Sequence, residues 1–207
     1  MEGARVTKQR WVTASVATAW LLLRTQTANA HLVSTGMGPV YDSLLHLLQS
    51  PQQLAPILGL ALWTGLLGPN HGRWALFTVT GAWLSGGLLG PALFPPGALG
   101  PLWTAGSCLT LGVLVAAELR TPVALTTTLA GLIGLVEGAM TGTGDGSAHR
   151  LPEVLGTTTG VLVLMAITTS LIVPLRRLWQ RMAVRVAGSW LAALGLLLVG
   201  WIIRARL

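Results

Sequence analysis

Four side chains in this sequence have the types and spacing to hold one metal ion: His31, Asp42, His46 and Glu137. Asp42 and His46 stand four residues apart in a segment with helical punctuation. They therefore share a face and can reach a common ion. His31 lies eleven residues upstream, directly after Ala28-Asn29-Ala30. Cleavage after Ala30 would make His31 the first residue of the mature chain, where α-amine and imidazole can chelate one ion together. The amine titrates near pH ~8 and a free imidazole near ~6.5, so both donors become available close to neutrality. Nitrogen and oxygen donors in this combination suit nickel, cobalt, copper or zinc better than magnesium. The plainer reading of Asp42 and His46 is a hydrogen-bonded pair bracing an interfacial helix.

Glu137 sits among Gly134, Gly138, Met140 and Gly142, near the end of an apolar segment. A carboxylate there must pair, bind a cation or take up a proton. It can complete the site around Asp42 and His46, or partner Arg150 instead. Asp145, His149 and Glu153 fall in or beside a glycine-rich loop, Thr141 to Pro152, and read as solvated polarity. Glu118 and Arg120 read as simple interfacial residues, and His71 as part of a tight turn, Gly68-Pro69-Asn70-His71. Cys108 is the single cysteine, which leaves no intramolecular disulfide and no thiolate cluster. No G-x-S-x-G elbow, H-E-x-x-H helix or Walker loop occurs. The chain is not read as an enzyme, and ATP-driven transport by it alone is excluded.

The elements that must position these residues follow from composition. Of 207 residues, 52% are hydrophobic and 9% charged. Soluble domains carry about a quarter charged residues, so this chain is built for lipid. Residues 1–30 read as a signal peptide. Arg5, Lys8 and Arg10 precede an apolar stretch, Trp11 to Leu23, and Ala28-Asn29-Ala30 gives a small-residue cleavage pattern. The remainder, 31–207, reads as one all-α membrane domain. Gly38-Pro39 opens a short half-helix at or dipping into the outer surface. Ser50-Pro51-Gln52-Gln53 restarts a helix with an S-x-x-Q capping box. About six transmembrane spans follow, near 51–67, 73–90, 99–119, 122–140, 153–175 and 184–203. The fifth opens at Pro152 and carries a late Pro174.

The net charge of +7 does not point to nucleic acid, because the 13 basic residues are spread over the ends of apolar segments. They orient the bundle instead. With the mature N-terminus outside, Arg73, Arg120, Arg176, Arg177, Arg181 and Arg185 are cytoplasmic, and Arg150, Arg204 and Arg206 are outside. Glycines 81, 86, 87, 131, 134 and 138 let helices approach closely, and the threonines 126–128 and 157–159 read as packing glue.

A leader ending directly before histidine, a short helix with Asp and His, and six short glycine-rich spans together resemble the HupE/UreJ family. These are small bacterial membrane proteins associated with hydrogenase and urease gene clusters and regarded as nickel or cobalt permeases. The resemblance is carried by Ala30-His31-Leu32 through Gly38-Pro39-Val40-Tyr41-Asp42-Ser43-Leu44-Leu45-His46, and in layout it extends over the mature chain. Two departures stand out. The family's first motif, H-P-x-x-G-x-D-H, has Asp and His adjacent, whereas His46 is one turn from Asp42. Its second motif, a histidine-glycine pair late in a middle span, is represented here by Glu137-Gly138. A carboxylate in place of an imidazole hardens the site and shifts its metal preference.

The resemblance implies a multi-pass protein of the bacterial inner membrane that takes a divalent transition metal from the outer face. Nickel or cobalt is favoured, with copper and zinc behind them. Its partners are the lipid bilayer and the ion. The alternative is a non-transporting membrane subunit or assembly factor bound to a metalloenzyme. Intact-mass measurement tests the leader: the purified protein is expected to begin at His31. A chain that still begins at Met1 loses the amine ligand.

Overall fold

Proline opens helices in this chain where its missing amide costs nothing, at the first position. The computed structural model describes residues 37–93, 100–141 and 150–206, and over these it is all-helical, with seven helices and no strand. They are α1 (Pro39–Gln49), α2 (Pro51–Leu67), α3 (Pro69–Leu93), α4 (Gly100–Ala116), α5 (Val123–Thr141), α6 (Arg150–Ile172) and α7 (Leu178–Arg206). The leader, His31 and the loop residues Asp145 and His149 lie outside the described residues.

Single residues separate the first three helices. Ser50 is extended (φ −96°, ψ 91°) and ends α1 by giving its N–H to the Leu47 carbonyl at 3.3 Å. The expected capping box does not form. Ser50 closes one helix and opens the next, and its hydroxyl turns back to within 3.5 Å of His46 Nε2. Gln53 instead donates its backbone N–H to the Ser50 carbonyl at 3.0 Å. Gly68, with φ 113°, makes the second break, a conformation glycine adopts without strain. Pro69 begins α3 at once, so His71 lies in a first helical turn and not in the tight turn expected of Gly68-Pro69-Asn70-His71. The fifth expected span keeps its length of 23 residues but sits three residues earlier in the chain. α6 stops at Ile172, ahead of Pro174, because a proline ring excludes the helical carbonyl four residues before it.

In lipid there is no hydrophobic drive between helices, so association depends on close packing. Two helix pairs supply most of it, α3 with α5 and α4 with α7. In the first, which runs parallel, a Cβ at Gly86 would overlap the Leu135 carbonyl, and one at Gly138 the Trp83 carbonyl. In the second, which runs antiparallel, Gly112 abuts Ala192, Gly188 abuts Val115, and Gly195 abuts the backbone of Leu109. α2 lies between the pairs and touches all the other helices. Its Ile57, Leu60, Ala61 and Trp63 are buried in the common core. α1 packs lengthwise along the first turns of α6, with Val40 and Ser43 against Gly156 and Leu47 against Gly160.

Among the described residues, three helices are long and apolar enough to cross a membrane: Val123–Thr141, Leu151–Ile172 and Leu178–Arg204. Large apolar side chains such as Leu171, Trp190 and Leu197 face outward, while Thr64, Thr126 and Thr157 are buried. Hydroxyls inside the bundle mostly bond to their own helix, as in Thr64 to the Leu60 carbonyl at 2.8 Å and Thr80 to the Leu76 carbonyl at 2.7 Å.

The close approaches predict a sharp split among glycines. Gly138→Ala and Gly112→Ala should each cost about 1–3 kcal/mol through forced backbone shifts. Gly81→Ala, where a Cβ meets nothing within 4 Å, should be neutral or slightly stabilising. Thermal unfolding in detergent distinguishes them, and equal melting temperatures for all three variants would refute the packing scheme.

Candidate metal site

One end of the bundle, where α2 passes into α3 and α4 into α5, is rich in arginine and closely tied. Trp63 Nε1 donates to the Leu119 carbonyl at 3.2 Å, and His71 Nε2 is 3.0 Å from the Thr121 carbonyl. Arg185 Nε donates to the Ala116 carbonyl at 2.8 Å, capping the end of α4. Glu118 adopts a left-handed conformation, φ 50°, just beyond that end, and pairs with Arg181. The N–H of Leu119 reaches the Leu114 carbonyl at 3.2 Å, a closure in which glycine is the usual residue. Glu118 and His71 thus have structural partners that sequence spacing did not reveal.

The far end carries the candidate ligands. Asp42 and His46 lie on α1 one turn apart, Asp42 partly buried and His46 exposed. Pro39 and Gly38 start this helix, and the Asp42 N–H accepts its place by donating to the Gly38 carbonyl at 3.1 Å. The break at Ser50 keeps α1 separate from α2, so Asp42 and His46 ride on a short element held against α6.

Glu137 is carried by a different pair of helices. It is on α5, in the pair with α3, and is only 1% exposed. Gly134 and Gly138 flank it on the face pressed to α3, which is why no solvent reaches the carboxyl. Its Oε1 has no hydrogen-bond partner. The Trp103 indole on α4 and the Cys108 thiol are within interaction range of the carboxyl, yet Trp103 Nε1 closes no hydrogen bond. Among the described residues, no three His, Cys, Asp or Glu side chains come together closely enough to hold a metal ion. Asp42 and His46 stay on α1, Glu137 stays in the α3–α5 pair, and His31 is outside the described residues.

Sequence spacing missed several other buried polar groups. Trp83 Nε1, Trp103 Nε1, Thr158 Oγ1 and Gln53 Oε1 are buried without partners, as is Thr169 Oγ1 nearer the arginine-rich end. The available signal was tryptophan inside an apolar run, since a buried indole N–H needs a partner.

The comparisons add one positive finding. The model of the family described as HupE / UreJ protein matches residues 19–198. No curated protein and no solved structure matches the chain.

A carboxyl kept for function at a cost to stability should betray itself when removed. Glu137→Met keeps the volume and removes the unpartnered group, so it should raise stability by about 1–3 kcal/mol. Unfolding temperature in detergent reads this out. A lower melting temperature than that of the parent would make Glu137 a structural residue.

Proposed function

This chain belongs to the HupE/UreJ family, and from that premise we propose that it is a membrane permease for a divalent transition metal. The family is associated with nickel and cobalt transport and with the maturation of urease and hydrogenase. The observation that carries the reading is Glu137, a carboxylate buried inside the bundle toward the C-terminal end of α5, with Oε1 unpartnered. Ionisable groups at such depth are expensive, and they mark ion pathways.

On this reading α2 to α7 are the six spans, with the arginine-rich end in the cytoplasm and both mature termini outside. α2, with 17 residues, is about 25 Å long, shorter than a bilayer core of about 30 Å. Its position among the other helices supports the assignment, because little of it has to meet lipid. α1 and α2 together then form a broken helix, a device that in transporters exposes backbone and side-chain donors to an ion. His31, Asp42 and His46 capture the metal at the outer face and hand it to a path near Glu137. Imidazole and carboxylate donors favour nickel or cobalt, with copper and zinc as further candidates.

The second reading, a non-transporting subunit or assembly factor of a metalloenzyme complex, draws on the same family. It is favoured by the absence, among the described residues, of three converging ligands.

Proteoliposomes loaded with a metal-sensitive dye separate the two. The parent should accumulate nickel, and Asp42→Ala or His46→Ala should lower uptake at least roughly tenfold with normal membrane insertion. Protonated imidazole cannot ligate, so uptake should be full near pH ~7.5 and fall as pH drops through about 6. Nickel entry by the double variant equal to that of the parent would leave the accessory reading in possession.

A further inference from the structure

The unpartnered buried groups are not scattered. Gly87 on α3 faces Val154 on α6, and Gly72 faces Thr169. The two antiparallel helices therefore keep one register, and it sets Trp83 opposite Thr158. On the other side of α3, Gly138 abuts the Trp83 carbonyl, which brings Glu137 to the same level. α2 runs parallel to α6, with Gly65 against Thr169 and Ile172, and the same register carried toward Ser50 brings Gln53 level with Thr158. Trp103 on α4 is within interaction range of Glu137. Five helices thus contribute one unsatisfied polar atom each to a single layer: Gln53 Oε1, Trp83 Nε1, Trp103 Nε1, Glu137 Oε1 and Thr158 Oγ1. Thr158 is 7% exposed and Trp83 is fully buried. Neighbouring Thr157 and Thr159 bond back to the carbonyls of Glu153 and Leu155, at 3.1 and 2.7 Å. Thr158 does not take that route.

We propose that Glu137, Gln53 and Thr158, with the indoles of Trp83 and Trp103, form an inner station that holds a divalent cation with part of its water shell, deepening the permease reading above. The donor types fix the roles. Glu137 Oε1 is the one charged oxygen and ligates the ion directly. Gln53 Oε1 and Thr158 Oγ1 are neutral oxygens that accept from metal-bound water. An indole N–H cannot ligate a cation, so Trp83 and Trp103 are positioning residues that donate to the carboxylate and to water in the layer. One charge and few direct ligands make a site that binds and lets go, as passage through a membrane requires. Oxygen donors also suit manganese and magnesium as well as nickel. Selection between metals therefore falls to the imidazoles of the outer site, and the inner station is permissive.

Manganese is the probe, because it prefers oxygen donors and its free EPR signal is lost on binding. The full chain carrying Asp42→Ala and His46→Ala should still bind Mn²⁺. Adding Thr158→Val or Gln53→Leu should weaken that binding roughly tenfold, and adding Glu137→Gln should abolish it. Thr158→Ser, which restores the hydroxyl, should recover the affinity, and Thr159→Val, on the exposed side of the same helix, should leave it unchanged. Mn²⁺ binding that is as tight with Thr158→Val and Gln53→Leu as without them overturns the station. Nickel uptake is scored separately in proteoliposomes. Mn²⁺ binding at this layer in a chain that moves no nickel defeats the permease reading and upholds the station.

Discussion

Everything in this bundle hangs on backbone meeting backbone at the α3–α5 contact. Lipid offers no hydrophobic reward for bringing helices together, so the contact must be close enough for dispersion to hold it. Gly86 and Gly138 allow that closeness by leaving the Leu135 and Trp83 carbonyls room that any Cβ would take. The same contact fixes depth. Gly138 seated on the Trp83 carbonyl leaves its neighbour Glu137 no freedom to swing toward solvent or up to a headgroup. A glycine pattern chosen for packing thereby becomes the reason a carboxylate is buried.

The second pair, α4 with α7, performs a matching task at the other flank of α2. Gly112, Gly188 and Gly195 bring α7 against α4 so closely that Arg181 and Arg185 reach the end of α4. The two pairs grip α2, whose Trp63 ties the same region through the Leu119 carbonyl. The molecule is consequently uneven along its length. Its arginine-rich end has backbone and side-chain groups linked across helices, and its opposite half keeps the unsatisfied layer around Glu137. On the permease reading proposed above, the tied end is the closed one and the end with the unpartnered polar groups is the one that admits the ion. Such groups are wasteful in a purely structural bundle, where buried polar groups are normally paired.

Much of the fold was legible along the chain because lipid imposes simple rules. Apolar length, proline at first helical positions and glycine at breaks marked α1, α2 and the start of α5 to within a residue or two. The errors came where one residue does two jobs. Ser50 looked like the first member of a capping box, but it also terminates α1, and its hydroxyl faces His46 instead. His71 looked idle in a turn, but Gly68 alone makes that turn, which frees His71 to reach the Thr121 carbonyl.

The sequence by itself determined that this is a helical membrane chain, which family it resembles, and which residues carry donor atoms of the kind a metal takes. Those properties depend on composition, period and local spacing, and all of them are one-dimensional. Only the tertiary structure decided which polar groups share a level. Gln53, Trp83, Trp103, Glu137 and Thr158 are far apart in sequence and belong to five helices. Their alignment is set by interhelical register, which depends on which glycine meets which carbonyl. No periodicity within a single helix encodes that choice, because it arises only when two surfaces are pressed together.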